Sequence, residues 1–231
     1  MHGMNRYLAQ QRMDEIGPEG QKRLRDARVL IIGCGALGSP VAMYLAGSGI
    51  GHLILADFDT VDLSNLHRQV FYGEEEIGQP KVDILKKRIE TLNSEVKVEK
   101  WHNLVTARLL EMAQIKFDIA VDAADNPATT YILDDFCKRK GIPLITAGVS
   151  GWEAQVFTFI PGSFSYGDIF ARPEADAEIL PCSLNGILGA TAAFAASLQN
   201  AETIKLLVGE GGTSSRLITA NLLSGYFNLN S

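Results

Sequence analysis

Closely spaced glycines followed by an aspartate are the first residues of this sequence that could bind a ligand. Gly33, Gly35 and Gly38 give residues 33–38 the pattern GxGxxG, after an apolar run and before a segment of helical character. Glycines in that place allow a tight turn, and the free N–H groups at a helix start attract phosphate. Asp57 follows at about the twenty-residue distance at which a carboxylate accepts hydrogen bonds from ribose hydroxyls. The pair predicts a nucleotide site without distinguishing a dinucleotide from ATP.

Three further segments carry side chains for which a nicotinamide-dependent dehydrogenase has no use. They are residues 64–69 (SNLHRQ), 78–81 (GQPK) and 122–126 (DAADN). Arg68 and Lys81 fall on a loop and a helix start beside the nucleotide site. There they would bind a phosphate chain and oppose the charge that builds at a phosphorus under attack. A carboxylate at the carboxyl end of the fourth strand could hold Mg²⁺. The set favours ATP as the nucleotide.

These segments, at these spacings, resemble the ThiF/MoeB/HesA family of adenylyltransferases, bacterial relatives of the ubiquitin-activating enzymes. The resemblance covers nearly the whole chain, from residues 6–7 (RY) to residues 198–205 (LQNAETIK). It implies an enzyme that binds Mg-ATP and adenylates the C-terminal glycine of a small ubiquitin-like sulfur carrier of the ThiS or MoaD type, releasing pyrophosphate. It also implies a C2 homodimer, a carrier ending in Gly-Gly and, as a further partner, a sulfur-donor protein.

The resemblance assigns nucleotide-binding roles to the matching positions. It assigns the nucleotide loop to Gly33, Gly35 and Gly38, and the binding of the ribose to Asp57. It assigns the phosphate contacts to Asn65, Arg68 and Lys81. It makes Asp125 the ligand for magnesium and the α-phosphate. The resemblance makes Arg68, Lys81 and Asp125 the catalytic residues. Two neighbouring acids, Asp59 and Asp62, are predicted to be turn or capping residues.

The sequence departs from the family pattern near its N-terminus. In the family an arginine at the position of Ala9 reaches into the ATP site of the partner subunit. Arg12 lies three residues on and could share a helical face with Ala9. Whether Arg12 replaces that arginine as a catalytic residue is left open.

Cysteine usage departs from the family as well. Many members bind zinc through two CxxC pairs, whereas this chain has three scattered cysteines, Cys34, Cys137 and Cys182, and no CxxC. No zinc is therefore expected. Cys182 stands before a predicted long helix, where a thiol is more readily ionised. Two roles for Cys182 are open on the sequence: a covalent bond to the activated carrier, or packing as a buried thiol.

Composition places these motifs in one soluble chain. The 231 residues carry a net charge of −6 and are 46% hydrophobic, which suits a single domain with a full core and differs from the basic patch of a nucleic-acid binder. The N-terminus lacks a secretory signal, and the apolar stretch at 187–198 is shorter than a membrane span, so a cytoplasmic protein is expected. We predict a single adenylation domain, residues 1–231, in three parts. Residues 1–27 form an N-terminal helical segment, and residues 28–150 form the nucleotide-binding half. Residues 151–231 form the carrier-binding and dimerisation half, which includes a mobile loop at 161–181.

The elements that must position these residues alternate between strand and helix from residue 28 onward. Strands are predicted at 28–32, 52–56, 96–101, 117–121 and 144–147, and helices at 37–46, 81–92 and 128–140. The last third adds a strand at 153–160, a long helix at 184–208 and closing strands at 216–219 and 225–229. The succession predicts a doubly wound, mostly parallel α/β sheet of Rossmann type, with helices on both faces and an extra C-terminal portion of strand and helix.

Three alternative functions stay open on the sequence. A nicotinamide-dependent oxidoreductase explains the glycines and Asp57 but leaves Arg68, Lys81 and Asp125 without a role. The others are a ThiF-like enzyme with a different acceptor, a peptide or a tRNA base, and a binding module without activity. Residues 64–69 favour the sulfur-carrier activators over the tRNA-modifying relatives. The sequence names neither the carrier nor the pathway, whether thiamine, molybdopterin or another.

Overall fold

The computed structural model describes residues 6–113, 116–172 and 186–230, which form one mixed sheet. Its eight strands in this part of the chain lie in the order β3-β2-β1-β4-β5-β6-β7-β8. The strands are β1 (Arg28–Ile32), β2 (His52–Ala56), β3 (Lys97–Trp101), β4 (Ile119–Asp122), β5 (Leu144–Ser150), β6 (Glu153–Phe159), β7 (Arg216–Asn221) and β8 (Tyr226–Asn230). Strands β1 to β5 pair in parallel, and β6, β7 and β8 extend the sheet in antiparallel pairs. The predicted fold class is confirmed.

Helices cover both faces of the sheet. Among the described residues they are α1 (Gly17–Asp26), α2 (Gly38–Ser48), α3 (Lys81–Leu92), α4 (Ala107–Met112), α5 (Pro127–Lys140), α6 (Tyr166–Ile169) and α7 (Gly189–Val208). Val29 and Ile31 of β1 pack among side chains of α1, α2, α3 and α7, whereas Leu30 and Ile32 pack against α5. Because both of its faces are covered, β1 is apolar throughout. No helix in the described ranges is long and apolar enough to cross a bilayer.

The winding of the sheet reverses between β1 and β4. From β1 the chain continues to β2 and β3 on one side, whereas β4 and β5 lie on the other. The loops that leave the carboxyl ends of β1 and β4 therefore run in opposite directions. A crevice opens outside those ends, which is where doubly wound sheets bind their ligands.

The predicted start of the long helix is wrong. Helix α7 begins at Gly189, and residues 186–188 precede it in non-helical conformation. Gly186 has a φ of +76°, and Ile187 forms a bridge with Gly151, so this stretch joins the sheet before the helix starts. Residues 184 and 185 of the predicted helix lie outside the described residues.

The described part of the predicted loop at 161–181 contains the short helix α6. Asp134 of α5 is buried and accepts hydrogen bonds from the backbone N–H groups of Tyr166 and Gly167, each at 3.0 Å. A carboxylate on two backbone donors fixes this turn of helix against α5. The remainder of the predicted loop, from residue 173 onward, lies outside the described residues.

Candidate active site

A cavity of about 280 Å³ opens at the carboxyl edge of the sheet, in the crevice beside β1 and β4. The loops after β1, β2 and β4 and the start of α3 bound it. The nucleotide-binding residues predicted from the sequence that line it are Gly33, Gly35, Asp57, Asn65, Arg68, Lys81 and Asp125. The fold thus gathers, around one space, side chains that stand far apart in the chain.

The glycines of the loop after β1 serve two different purposes. Gly33 has a φ of +88°, and a Cβ there would stand 2.5 Å from the carbonyl oxygen of Ala123. Gly38, the first residue of α2, is outside the cavity lining, and a Cβ on it would overlap the carbonyl oxygen of Gly33. Gly38 therefore allows α2 to begin close beneath the loop, while Gly35 faces the cavity itself. This close start places the residues just before α2, Gly35, Ala36 and Leu37, in the cavity lining.

Asp57 follows β2 and is 8% exposed. Its carboxylate accepts hydrogen bonds from the backbone N–H groups of Cys34, at 2.6 Å, and Asp59, at 2.8 Å. Burial raises the pKa of Asp57, while these two hydrogen bonds and the charge of Lys81 oppose the rise. The Cys34 thiol is fully buried, and burial raises its pKa well above the ordinary value. Asp57 is thus held against the glycine loop, and Cys34 is a packed thiol.

Arg68 and Asn65 are held together before they meet any ligand. The Arg68 Nη2 donates to the Asn65 side-chain oxygen at 2.7 Å, and its Nη1 donates to the Ser64 carbonyl oxygen at 3.1 Å. Asp62 caps the short 3-10 helix Leu63–Asn65 by accepting from the Ser64 N–H at 2.8 Å, so the predicted capping role is confirmed. The guanidinium is therefore oriented at the cavity wall rather than free in solvent.

Lys81, the first residue of α3, is 3% exposed although it is a lysine. Its Nζ lies 2.9 Å from the Oδ2 of Asp59, and Asp59 also lines the cavity. Asp59 was predicted to be a turn or capping residue, and the structure adds a role that was not predicted, because its carboxylate is the counter-charge of a buried ammonium. The signal was its position two residues after Asp57, at the same edge of the sheet.

Asp125 and Asp122 have opposite surroundings in the turn between β4 and α5. Asp125 is exposed and lines the cavity. Asp122, the last residue of β4, is 1% exposed and accepts hydrogen bonds from the hydroxyls of Thr130 (2.6 Å) and Thr146 (3.0 Å). It also accepts from the N–H of Ala124 at 3.1 Å. Burial raises the pKa of Asp122 to about 6, the hydrogen bonds lower it, and the charge of Asp125 adds to the rise. Asp122 braces the turn that carries Asp125.

The acids of the cavity fit a magnesium ion that arrives with phosphates. Among the described residues no group of three or more His, Cys, Asp or Glu side chains could hold a metal unaided. Mg²⁺ commonly takes one or two carboxylates together with substrate phosphates and waters. Asp125, exposed at a cavity that also holds Arg68 and Lys81, matches that pattern. The described part of the chain likewise offers no such group for zinc.

Arg12, one of the catalytic residues predicted from the sequence, is not part of the cavity lining. Arg12 ends the 3-10 helix Gln10–Arg12 and is exposed to solvent. Ala9 precedes that helix and is also exposed. Cys182 lies outside the described residues.

Sequence reasoning assigned no role to Gln69, which lines the cavity and is 5% exposed. Its Oε1 is buried and has no hydrogen-bond partner within the described ranges, although buried polar atoms are nearly always paired. Gln69 directly follows Arg68 within residues 64–69, so membership of that motif was the available signal. An apolar wall of the same cavity was also not foreseen; it is formed by Phe157, Tyr166, Phe170 and Leu217.

A cavity lined by charged side chains at the switch point of a doubly wound sheet is typical of nucleotide-binding α/β proteins. The chain belongs to the ThiF family, whose model matches residues 7–229. Nearly the whole described structure thus falls within the family domain.

Named relatives share the family over most of the chain. "SAMP-activating enzyme E1" of Haloferax volcanii is 36% identical over 208 residues, covering 90% of this chain and 77% of the relative. "Sulfur carrier protein adenylyltransferase" of Thermus thermophilus is 36% identical over 215 residues, covering 90% and 79%. "Adenylyltransferase and sulfurtransferase MOCS3" of Dictyostelium discoideum is 40% identical over 228 residues, covering 97% of this chain and 53% of the relative. The chain thus spans about half the length of the MOCS3 proteins. Because the relatives that it covers over more than three quarters of their length are named as an activating enzyme and an adenylyltransferase, the chain is an adenylyltransferase.

A solved structure shows the same fold. The crystal structure of E. coli MccB with ATP superposes with a TM-score of 0.84 at 26% identity, covering 100% of this chain and 71% of that chain. MccB with a selenomethionine MccA gives a TM-score of 0.83 at 25% identity, covering 100% and 72%. The antiparallel strands β6 to β8 are therefore included in the superposed fold.

Proposed function

We propose that this protein uses Mg-ATP to adenylate the C-terminal glycine carboxylate of a small ubiquitin-like sulfur carrier of the ThiS or MoaD type, releasing pyrophosphate. The observation that carries the proposal is the convergence of Asp57, Arg68, Lys81 and Asp125 on one cavity at the switch point. Relatives named as activating enzymes or carrier adenylyltransferases support it. A nicotinamide enzyme would leave both cations and Asp125 without a ligand.

Each side chain has a distinct part in this reaction. Backbone N–H groups of the glycine loop just before α2 bind phosphate oxygens, and Asp57 accepts from the ribose hydroxyls. The carrier carboxylate attacks the α-phosphorus, an acyl-phosphate bond forms, and the bond to pyrophosphate breaks. Arg68 and Lys81 stabilise the negative charge that grows on the phosphate oxygens and on the leaving group. Asp125, together with the phosphates, would hold magnesium, which would supply further charge neutralisation when bound.

The carrier's C-terminal tail needs a path to the α-phosphate, and the antiparallel half offers one. A second groove lies over β5 to β8 and shares Gly148, Val149 and Gln155 with the nucleotide cavity. Its floor carries the polar side chains Glu153 and Asn221, which suit the backbone of an extended peptide. We therefore assign nucleotide binding to residues 28–150 and carrier binding to residues 151–231.

The assembly that we propose is a C2 homodimer. The outward face of α7 presents small exposed residues, Ala193, Ser197 and Ala201, which allow close approach of a second helix. In a dimer, Arg12 is the side chain that we propose for the nucleotide site of the partner subunit. Both assignments are tested by assembly-state measurements and by exchange assays on an Arg12→Ala variant.

Pyrophosphate exchange into ATP tests the chemistry. Label from pyrophosphate should enter ATP when Mg²⁺ and a carrier ending in Gly-Gly are both present, and at background level when either is omitted. A ThiS-type and a MoaD-type carrier, assayed side by side, assign the pathway. A short peptide is the second candidate acceptor, since a ThiF-like enzyme with a different acceptor stays open on the sequence, and exchange supported by a short peptide but by neither carrier would select it.

A further inference from the structure

We propose that Asp59 is a positioning residue that holds the Lys81 ammonium in the nucleotide cavity and ties it to the ribose end of the site. The inference rests on the proposed adenylation. Asp59 acts through Lys81 in this proposal and is distinct from the residues that contact the nucleotide.

The contact between the two residues is double. The Lys81 Nζ lies 2.9 Å from the Asp59 Oδ2, and the Lys81 backbone N–H donates to the Asp59 carbonyl oxygen at 3.1 Å. The start of α3 is therefore fastened to the loop after β2 at both backbone and side chain. Asp59 is the ion-pair partner of Lys81 among the described residues, and its own carboxylate is about half exposed at the cavity.

Asp59 is fastened in turn to the ribose end of the site. Its N–H donates to the Asp57 Oδ1 at 2.8 Å, and the Asp57 Oδ2 accepts from the N–H of Cys34 in the glycine loop at 2.6 Å. A continuous chain of contacts thus runs from the glycine loop through Asp57 and Asp59 to the Lys81 ammonium. Movement of the Lys81 ammonium relative to the ribose ligand must break one of these links.

This arrangement suits a lysine that must act on a phosphate. An ammonium has three N–H donors and no acceptor, so one bond to Asp59 leaves two donors for phosphate oxygens. A lysine stem is long and flexible, and fixing it before the nucleotide arrives removes that ordering from the binding step. A buried ammonium without a counter-charge is also unfavourable, and Asp59 supplies that charge.

A double-mutant cycle tests whether Asp59 acts through Lys81. Asp59→Asn keeps the shape of the side chain and removes its charge. We expect it to lower kcat/KM for pyrophosphate exchange about tenfold in the otherwise unchanged enzyme, within the usual range of coupling between contacting residues. In a Lys81→Ala background the same change should alter the rate less than twofold. Asp83→Asn is the matched control, because Asp83 is an exposed carboxylate on α3 that pairs with Lys100 rather than with Lys81.

Calorimetric titration with Mg-ATP, in the absence of a carrier, measures ATP affinity for the four proteins of the same double-mutant cycle. The weakening of ATP binding by Asp59→Asn should disappear in the Lys81→Ala background. An equal loss in both backgrounds would overturn the proposal by showing that Asp59 acts on the ligand directly. Tighter ATP binding in Asp59→Asn would overturn it too, because Asp59 would then compete with phosphate for Lys81. If the wild-type enzyme binds ATP but exchanges no pyrophosphate, the adenylation proposal fails while the binding cycle still tests Asp59.

Discussion

Lys81 and Asp125 reach the cavity from strands on either side of β1, one after β2 and the other after β4. Lys81, and a magnesium ion that Asp125 would hold, would stabilise the negative charge that grows on the phosphates when the α-phosphorus is attacked. Replacing either residue by alanine should therefore lower the rate of pyrophosphate exchange by about a hundredfold or more. Lys87→Ala, an exposed lysine on the same helix as Lys81, is the matched control and should leave the rate unchanged. Near-wild-type exchange in both variants would remove the catalytic assignment.

Asp122 gives a prediction about pH. Its folded pKa of about 6 lies above the ordinary 3.8 because burial disfavours the charged form. A raised carboxyl pKa contributes stability at low pH that is lost as pH rises through the folded pKa. Between pH 4.5 and 7.5 the wild type should therefore lose about 2 kcal/mol of unfolding free energy relative to Asp122→Asn. Urea denaturation of both proteins at the two pH values measures this, and a difference that does not change with pH would contradict it.

At the scale of elements, α6 depends on one buried carboxylate. Asp134 accepts from two backbone N–H groups at the start of α6, and Tyr166 and Phe170 of this segment line the cavity. Asp134→Asn places an amide N–H₂ where an acceptor is needed, so it should lower the free energy of unfolding by about 1–3 kcal/mol. Asp135→Asn on the same helix breaks only an exposed ion pair with Arg172 and should cost about 0.5 kcal/mol or less. Equal effects in the two variants would show that the contact to α6 contributes little.

Elements with strong local signals were predicted closely from the sequence. The bounds of β1, β2 and α3 coincide with the prediction, because apolar runs and periodic helix faces end there at glycine, proline or aspartate. The start of α7 was missed because a tertiary pairing of Ile187 with Gly151 decides it. No local pattern of a single sequence encodes such a pairing.

The candidate site, too, was predicted from the sequence only in part. The glycines, Asp57, Arg68, Lys81 and Asp125 were recognisable from residue type and spacing, and all but Gly38 line the cavity. The ion pair of Asp59 with Lys81 and the unpaired oxygen of Gln69 arise where the loop after β2 meets α3 and the glycine loop. These contacts depend on the packing of distant elements, so the sequence alone did not reveal them.

At the scale of the whole molecule, we expect a dimer formed through the outward face of α7. Light scattering at micromolar concentration should give twice the chain mass of 25.1 kDa. Ala193→Arg places a long charged side chain on that face and should yield monomers, because a buried unpaired charge opposes association. Ala107→Arg, an exposed alanine on α4 at the other face of the sheet, should remain dimeric. A monomeric wild type would contradict the expected assembly.

The central claim is that the enzyme places AMP on the C-terminal carboxylate of a carrier protein, and intact-mass spectrometry of the carrier tests it most directly. Incubation with Mg-ATP and inorganic pyrophosphatase should add one AMP to a carrier that ends in Gly-Gly. The added mass should disappear when hydroxylamine is present, because it cleaves an acyl phosphate to a hydroxamate. A carrier lacking its last glycine should stay unmodified, because its carboxylate no longer reaches the α-phosphorus. An unmodified full-length carrier, under conditions in which the enzyme consumes ATP, would contradict the account.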